Sequence, residues 1–191
     1  IESVNNPYKK IEKKQEKTRN ILKLIKKHNL CCHILTKSDL VLRDIDILKK
    51  IKNICVTISI TTIDENKNKI FEKNVISTNK RLNIIKKINK NNIKSGLSLI
   101  PIIPYIVDDE IKDIIRKAKE NNSKYFLHKY LELKGDQKDI FLKIIEKNYP
   151  KLINMYKKLY KDSFYPKKDY IKKTDSKIKK LLEKYNLKEK I

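Results

Sequence analysis

The chain contains almost no glycine: Gly96 and Gly135 are the only two in 191 residues. Phosphate-binding loops of the GxGxxG and P-loop types need several glycines, so both nucleotide-binding motifs are excluded. Long apolar runs are also missing, and none approaches the ~20 residues that a membrane span needs. The start of the chain has no signal-peptide pattern. We therefore expect a cytoplasmic protein with no membrane partner.

Cysteine is scarce and poorly spaced for metal binding. Cys31, Cys32 and Cys55 lie in apolar, strand-like runs, where cysteine usually acts as a small buried hydrophobe. Neighbouring residues of a strand point to opposite faces, so Cys31 and Cys32 cannot chelate one metal cluster together. The odd number of cysteines and the expected cytoplasmic setting also argue against disulfides.

Arginine is scarce although the formal charge is +24. Arg is favoured for base readout and bidentate phosphate contacts, whereas this chain relies on Lys. The lysines are spread along every predicted helix and accompany abundant Ile and Asn, as expected from an AT-rich coding sequence. We interpret the charge mainly as codon bias and solvated helix faces, with a polyanion-binding surface as the alternative. The four arginines are Arg19, Arg43, Arg81 and Arg116.

Apolar periodicity predicts alternating helices and strands. Helices are expected at 9–29, at 38–52, after Ser77, after Asp108 and over 136–160 with a break near Pro150. A last helix is expected at 175–186. The order favours an α/β fold with parallel strands and right-handed crossovers. Four strands do not close a barrel, so we expect residues 1–4 to end a fifth strand and missing sequence to supply more cover. The predicted strands are 31–36, 54–62, 96–103 and 125–133.

Polar side chains collect where the first two predicted strands end. In the second strand Thr57, Ser59 and Thr61 alternate with apolar residues, so they would face the interior of a barrel and its mouth. Lys37 directly follows the first strand. Parallel sheets and barrels bind ligands at the carboxyl ends of their strands, so a ligand site is expected at this edge.

An ordered series of segments resembles the radical SAM proteins of the spore photoproduct lyase-like family. The family motif DPYxPxE is matched by Pro7, Tyr8 and Glu12, with Asn6 in place of Asp and Lys10 in place of Pro. The series covers nearly the whole chain, and no single motif would carry it. Its segments are NNPYKKIEKKQEKTRNILKLI, HILTKSDLVLRDIDIL, VTISITTIDE and GLSLIPIIPYIVDDEI.

The resemblance implies a partial (β/α) barrel of the radical SAM type, truncated at its N-terminal side. Residues 1–160 would form this barrel and 161–191 a basic C-terminal helical tail. In the family, CxxxCxxC holds a [4Fe-4S] cluster that binds S-adenosylmethionine. An external electron donor supplies the electron for the reductive cleavage of S-adenosylmethionine, which gives a 5′-deoxyadenosyl radical. CxxxCxxC is absent here, so the cluster ligands are not in this chain.

The resemblance also implies cofactor-binding residues. Lys37 would pair with the methionine carboxylate of S-adenosylmethionine, and Ser59 would reach its ribose or amino-acid end. Thr61, Thr36 and Asn6 are further candidates around the same mouth. Alternatively, Lys37 is a solvated lysine with no ligand, and Thr61 is an ordinary strand residue chosen for its β propensity. For the whole chain the alternatives are a non-catalytic basic α/β module that binds nucleic acid, or a decayed inactive fragment.

Overall fold

A four-stranded parallel sheet forms the centre of the molecule. The computed structural model describes residues 6–191, and the strand end expected at residues 1–4 lies outside them. Parallel neighbours must be joined by crossovers, and helices supply each of these connections. The prediction of an α/β fold with parallel strands is confirmed. In the order in which they pair, the strands are β1 (Cys32–Thr36), β2 (Ile54–Ile60), β3 (Lys94–Ile102) and β4 (Phe126–Tyr130).

Helices precede the sheet, connect its strands and follow it. Two of them are short 3-10 helices, Asp39–Asp44 and Pro150–Leu152. The second of these confirms the predicted break near Pro150. The α-helices are α1 (Glu12–Gln15), α2 (Lys17–Lys27), α3 (Ile45–Leu48), α4 (Glu65–Phe71), α5 (Thr78–Lys90), α6 (Ile111–Glu120), α7 (Gln137–Asn148), α8 (Ile153–Leu159) and α9 (Lys168–Lys184).

Two predicted helices are divided by polar contacts. The helix expected over 9–29 breaks at Glu16, which adopts a left-handed backbone with φ of 47°. This break lets the Glu12 carboxylate accept a hydrogen bond from the backbone N–H of Thr18 at 3.0 Å. The helix expected over 38–52 begins as a 3-10 helix, which ends on the fully buried carboxylate of Asp44.

The apolar side chains of β2 belong to the main core. Val56, Ile58 and Ile60 are fully buried and form part of one hydrophobic cluster with α5 and α6 residues such as Ile85 and Ile114. Thr57 and Ser59 alternate with them and make polar contacts instead. The alternation in sequence therefore separates a helix-facing side of the sheet from a polar side.

β3 begins at Lys94, two residues before the predicted start, and its end agrees with the predicted range of 96–103 to within one residue. The strand continues to Ile102, with a register irregularity between Leu99 and Ile102. Pro101 has no backbone N–H and cannot donate a hydrogen bond to the neighbouring strand. The register irregularity lets the strand continue beyond this residue.

The segment after residue 160 packs against the rest of the chain. α9 begins seven residues before the predicted helix and buries Ile178 and Leu182. The backbone N–H of Phe126 donates to the carbonyl of Lys188 at 2.8 Å, which ties the segment to β4. A domain boundary at residue 160 stays a prediction.

Candidate functional site

A buried carboxylate organises the carboxyl end of the sheet. Glu72 follows α4, and only 5 % of its side chain is exposed. Its Oε1 accepts a hydrogen bond from the hydroxyl of Thr61 at 2.7 Å and also forms an ion pair with Lys37. The predicted residues Lys37 and Thr61 therefore meet at one oxygen atom.

Arg81 of α5 holds the other oxygen of this carboxylate. Its guanidinium lies 2.6 Å from Glu72 Oε2 and donates to the backbone carbonyl of Ser59 at 3.0 Å. Asn68 and Thr78 accept two further hydrogen bonds from the same guanidinium. Only 1 % of the Arg81 side chain is exposed, so this charge depends on Glu72 for neutralisation.

The electrostatics of this cluster keep Glu72 ionised. Burial by itself would raise the pKa of the Glu72 carboxyl, but the charges of Lys37 and Arg81 hold that pKa below its usual value. Lys37 is the more accessible partner, with 29 % of its side chain exposed. The cluster thus presents one cation to solvent at the tip of β1.

Asn6 and Thr36 lie beside Lys37. The Asn6 Oδ1 accepts hydrogen bonds from the Thr36 hydroxyl at 2.7 Å and from the backbone N–H of Tyr8 at 3.1 Å. Thr36 is buried, while Asn6 and Lys37 line a groove of about 860 Å³. Asn74, Val75 and Ile76 also line this groove. Asn6 and Lys37 are therefore accessible to one ligand, and Thr36 supports Asn6 from behind.

A second buried carboxylate joins α2 and Tyr8 to the 3-10 helix that follows β1. The Asp44 carboxylate contacts Arg19 at 2.8 Å and Arg43 at 2.9 Å and accepts from the Tyr8 hydroxyl at 3.1 Å. Burial alone would raise the pKa of Asp44, but hydrogen bonds from Arg43 and Arg19 lower it. These contacts fix Tyr8, and with it the Asn6 wall of the groove.

Ser59 and Ser98 lie side by side on the polar face of the sheet, as register partners of β2 and β3. The Ser59 hydroxyl donates to the carbonyl of Ile100 at 3.2 Å. The Ser98 hydroxyl is fully buried and has no hydrogen-bond partner among the described residues. An unpaired buried hydroxyl is costly, so this part of the barrel interior favours a polar ligand or water.

Tyr125 fills the interior nearer the amino ends of the strands. Its ring lies against Gly96, where an added Cβ would approach the ring to 2.4 Å. Its hydroxyl shares a 2.7 Å hydrogen bond with Thr57, whose oxygen also lies 2.7 Å from His33 Nε2. Thr57 therefore contacts Tyr125 and His33 in the interior and does not lie at the carboxyl ends of the strands.

The cysteines lie away from the cluster around Glu72. Cys31 is exposed, while Cys32 and Cys55 are buried at the amino ends of β1 and β2. Within residues 6–191 no three His, Cys, Asp or Glu side chains are grouped closely enough to hold a metal ion.

Sequence reasoning missed Glu72, Arg81 and Ser98. The sequence did contain a signal for Arg81, because arginine is rare among many lysines. In the structure all four arginines form ion pairs, so each arginine could have been predicted to have a specific partner. Glu72 lies between the predicted strand 54–62 and the helix predicted after Ser77, where nothing local marks a glutamate as buried.

Comparisons with known proteins agree with this geometry. A family model described as the radical SAM superfamily matches residues 4–118. An uncharacterized protein of Methanocaldococcus jannaschii is 39% identical over 150 residues, which are 78% of this chain and 56% of the relative. The chain therefore spans a little over half the length of the curated relative it matches. It belongs to the radical SAM superfamily, and the recognition of that family from sequence is confirmed.

Solved structures show the same fold. A spore photoproduct lyase mutant with bound AdoMet and dinucleoside spore photoproduct superposes with a TM-score of 0.67 at 14% identity, over 92% of this chain and 55% of the other. A second mutant of spore photoproduct lyase gives 0.64 at 12% identity, over 87% and 53%. The four parallel strands therefore form part of a radical SAM barrel. Among residues 6–191, no helix combines the length and apolar character that a membrane crossing requires.

Proposed function

We propose that this chain forms the S-adenosylmethionine-binding wall of a radical SAM enzyme. The observation that carries the proposal is the accessible ammonium of Lys37, which the buried Glu72 carboxylate fixes at the carboxyl end of β1. A positive charge at this edge suits the methionine carboxylate of the cofactor.

The donor set in this part of the barrel fits the remainder of the cofactor. Ser98 offers an unpaired buried hydroxyl, and Ser59 lies next to it in register. Hydroxyls of this kind can bind ribose oxygens, because each can donate one hydrogen bond and accept others. Asn6 has an amide that can reach the groove shared with Lys37. The set combines one cation with neutral polar groups, as an amino-acid nucleoside requires.

The described residues do not fit the iron–sulfur cluster. A cluster needs thiolates in one loop, whereas Cys32 and Cys55 are buried at the opposite edge of the sheet. Burial raises the pKa of both thiols, which disfavours the thiolate form. We therefore propose that the cluster ligands come from residues outside the described part.

The residues of this chain bind and orient the cofactor. S-adenosylmethionine supplies a 5′-deoxyadenosyl radical when it is reduced by one electron. Lys37 would hold the carboxylate, and Ser59 and Thr61 would line the path from the amino-acid end to the ribose. Glu72 and Arg81 would position Lys37 without touching the cofactor. Thr36 would orient Asn6 through its hydrogen bond.

Product formation tests this function. The full-length protein, reconstituted with iron and sulfide and reduced with dithionite, should convert S-adenosylmethionine to 5′-deoxyadenosine. Lys37→Ala should reduce product formation at low cofactor concentration, and the exposed Lys157→Ala should not. A reconstituted wild-type protein that releases no 5′-deoxyadenosine would overturn the proposal and favour the decayed fragment.

A further inference from the structure

A second polar cluster lies at the carboxyl end of the sheet, beside the cluster around Glu72. Its centre is Glu110, which directly precedes α6 and has 12 % of its side chain exposed. One of its carboxylate oxygens, Oε2, accepts hydrogen bonds from the hydroxyl of Thr62 at 2.6 Å and from the backbone N–H of Ile63 at 2.8 Å. Glu110 therefore holds the chain where it leaves β2.

The other carboxylate oxygen of Glu110 binds α4. It forms an ion pair with Lys67, whose ammonium also donates to the backbone carbonyl of Ile106 at 2.6 Å. Ile106 belongs to the turn after β3, in which Tyr105 adopts a left-handed backbone with φ of 64°. A bulky residue in this conformation needs support from its surroundings. Glu110 and Lys67 thus join α4 to the segments that follow β2 and β3.

Two short stretches of backbone connect the contacts of Glu110 to Glu72. Lys67, the ion-pair partner of Glu110, lies on α4, and Glu72 is the residue that follows this helix. Thr62, which donates to Glu110, is the neighbour of Thr61, which donates to Glu72. The contacts of Glu110 therefore restrain both segments that bring the Glu72 carboxylate to its place.

We propose that Glu110 is a positioning residue for Lys37. It acts through Glu72, because Lys67 and Thr62 fix the segments that hold this carboxylate against the Lys37 ammonium. Outer partners of this kind keep the side chains that touch a ligand in their productive geometry. The inference rests on the proposed function, which assigns Lys37 to the carboxylate of S-adenosylmethionine.

The chemical reactivity of Lys37 tests the positioning without the cofactor. The full-length protein is treated with a limiting amount of acetic anhydride, and acetylation of each lysine is measured by mass spectrometry. An ammonium held in an ion pair is shielded from the reagent, so Lys37 should react several-fold faster in Glu110→Ala than in wild type. Glu110→Gln keeps an acceptor oxygen for Thr62 and Ile63, so its Lys37 reactivity should lie between the two.

The affinity for S-adenosylmethionine tests the consequence for the cofactor. Calorimetry on the reconstituted full-length protein should show binding about three- to tenfold weaker in Glu110→Ala. In a Lys37→Ala background the same change should add little, because both changes act on one contact. Glu120→Ala is the matched control, since Glu120 lies on the same helix and pairs with the exposed Arg116. It should alter neither the affinity nor the reactivity of Lys37.

The outcomes separate this inference from the proposed function. Unchanged reactivity of Lys37 or unchanged cofactor affinity in Glu110→Ala would overturn the inference alone. Equal losses of affinity from Glu110→Ala in the wild-type and Lys37→Ala backgrounds would also overturn it, because Glu110 would then act independently of Lys37. Wild-type protein that does not bind S-adenosylmethionine, or binds it no better than Lys37→Ala does, would overturn both. If Glu110→Ala does not fold, Lys67→Gln releases α4 from Glu110 and carries the same expectations.

Discussion

Lys37 at the tip of β1 forms an ion pair with Glu72, the residue that follows α4. The pair joins two segments that are distant in sequence. It orients the lysine that the family resemblance assigns to the cofactor carboxylate. Since Arg81 binds the same carboxylate, Glu72 neutralises one buried cation and one accessible cation.

Glu72→Gln should destabilise the protein strongly. The change leaves the guanidinium of Arg81 buried without a counter-charge, which costs about 3–5 kcal/mol for a broken buried pair. Urea denaturation measures the free energy of unfolding. Glu120→Gln is the matched control, because Glu120 pairs with Arg116 on an exposed helix surface and such pairs contribute about 0.2–1 kcal/mol. Similar losses in the two variants would show that the Glu72 cluster is not a buried unit.

Gly96→Ala should destabilise the barrel through Tyr125. An added Cβ would lie 2.4 Å from the ring, so the ring or β3 must move. Overpacking of this kind costs about 1–3 kcal/mol. In a Tyr125→Leu background the same change should cost clearly less, since the rigid ring is gone. An identical cost in both backgrounds, measured by thermal and urea unfolding, would exclude the ring contact as the cause.

Stability should fall in acid because two buried carboxylates have lowered pKa values. Glu72 and Asp44 are both held below their usual pKa in the folded protein. Their stabilisation is fully present above the pKa of the unfolded chain, about 4, and is lost as pH falls through the lower folded value. The free energy of unfolding should therefore be nearly constant from about pH 7 to 5 and then decline.

The same pH series separates the contribution of Glu72. Glu72→Gln should show a shallower decline below about pH 4, because one of the carboxylates with a lowered pKa is removed. A wild-type protein whose stability does not change between about pH 5 and 3 would contradict the assignment.

The sequence predicted most of the fold because its apolar periodicity is strong. The alternation of Val56, Ile58 and Ile60 with polar residues marked both faces of β2 correctly. The break at Glu16 was missed, since a left-handed backbone there depends on contacts of Glu12 with residues beyond the turn. In the C-terminal segment α9 begins earlier than predicted. It packs against α6, and no local sequence pattern marks that long-range contact.

The site could be predicted in part. Lys37, Ser59, Thr61, Thr36 and Asn6 came from the resemblance. Their roles stay predictions, although the structure brings Lys37 and Thr61 together at one oxygen. The partners that fix Lys37 and Thr61 are Glu72, which follows α4, and through it Arg81 of α5. A long-range pair such as Glu72 with Arg81 leaves no periodic signal, because it forms only after the crossover has folded back on the sheet.

The affinity for S-adenosylmethionine tests the central claim most directly. Isothermal titration calorimetry on the full-length, reconstituted protein compares wild type with Lys37→Ala and with Lys157→Ala. Loss of a charge-assisted contact should weaken binding roughly ten- to hundredfold in Lys37→Ala, while Lys157→Ala should bind as wild type does. Equal affinities in all three proteins would contradict the assignment of Lys37 to the cofactor.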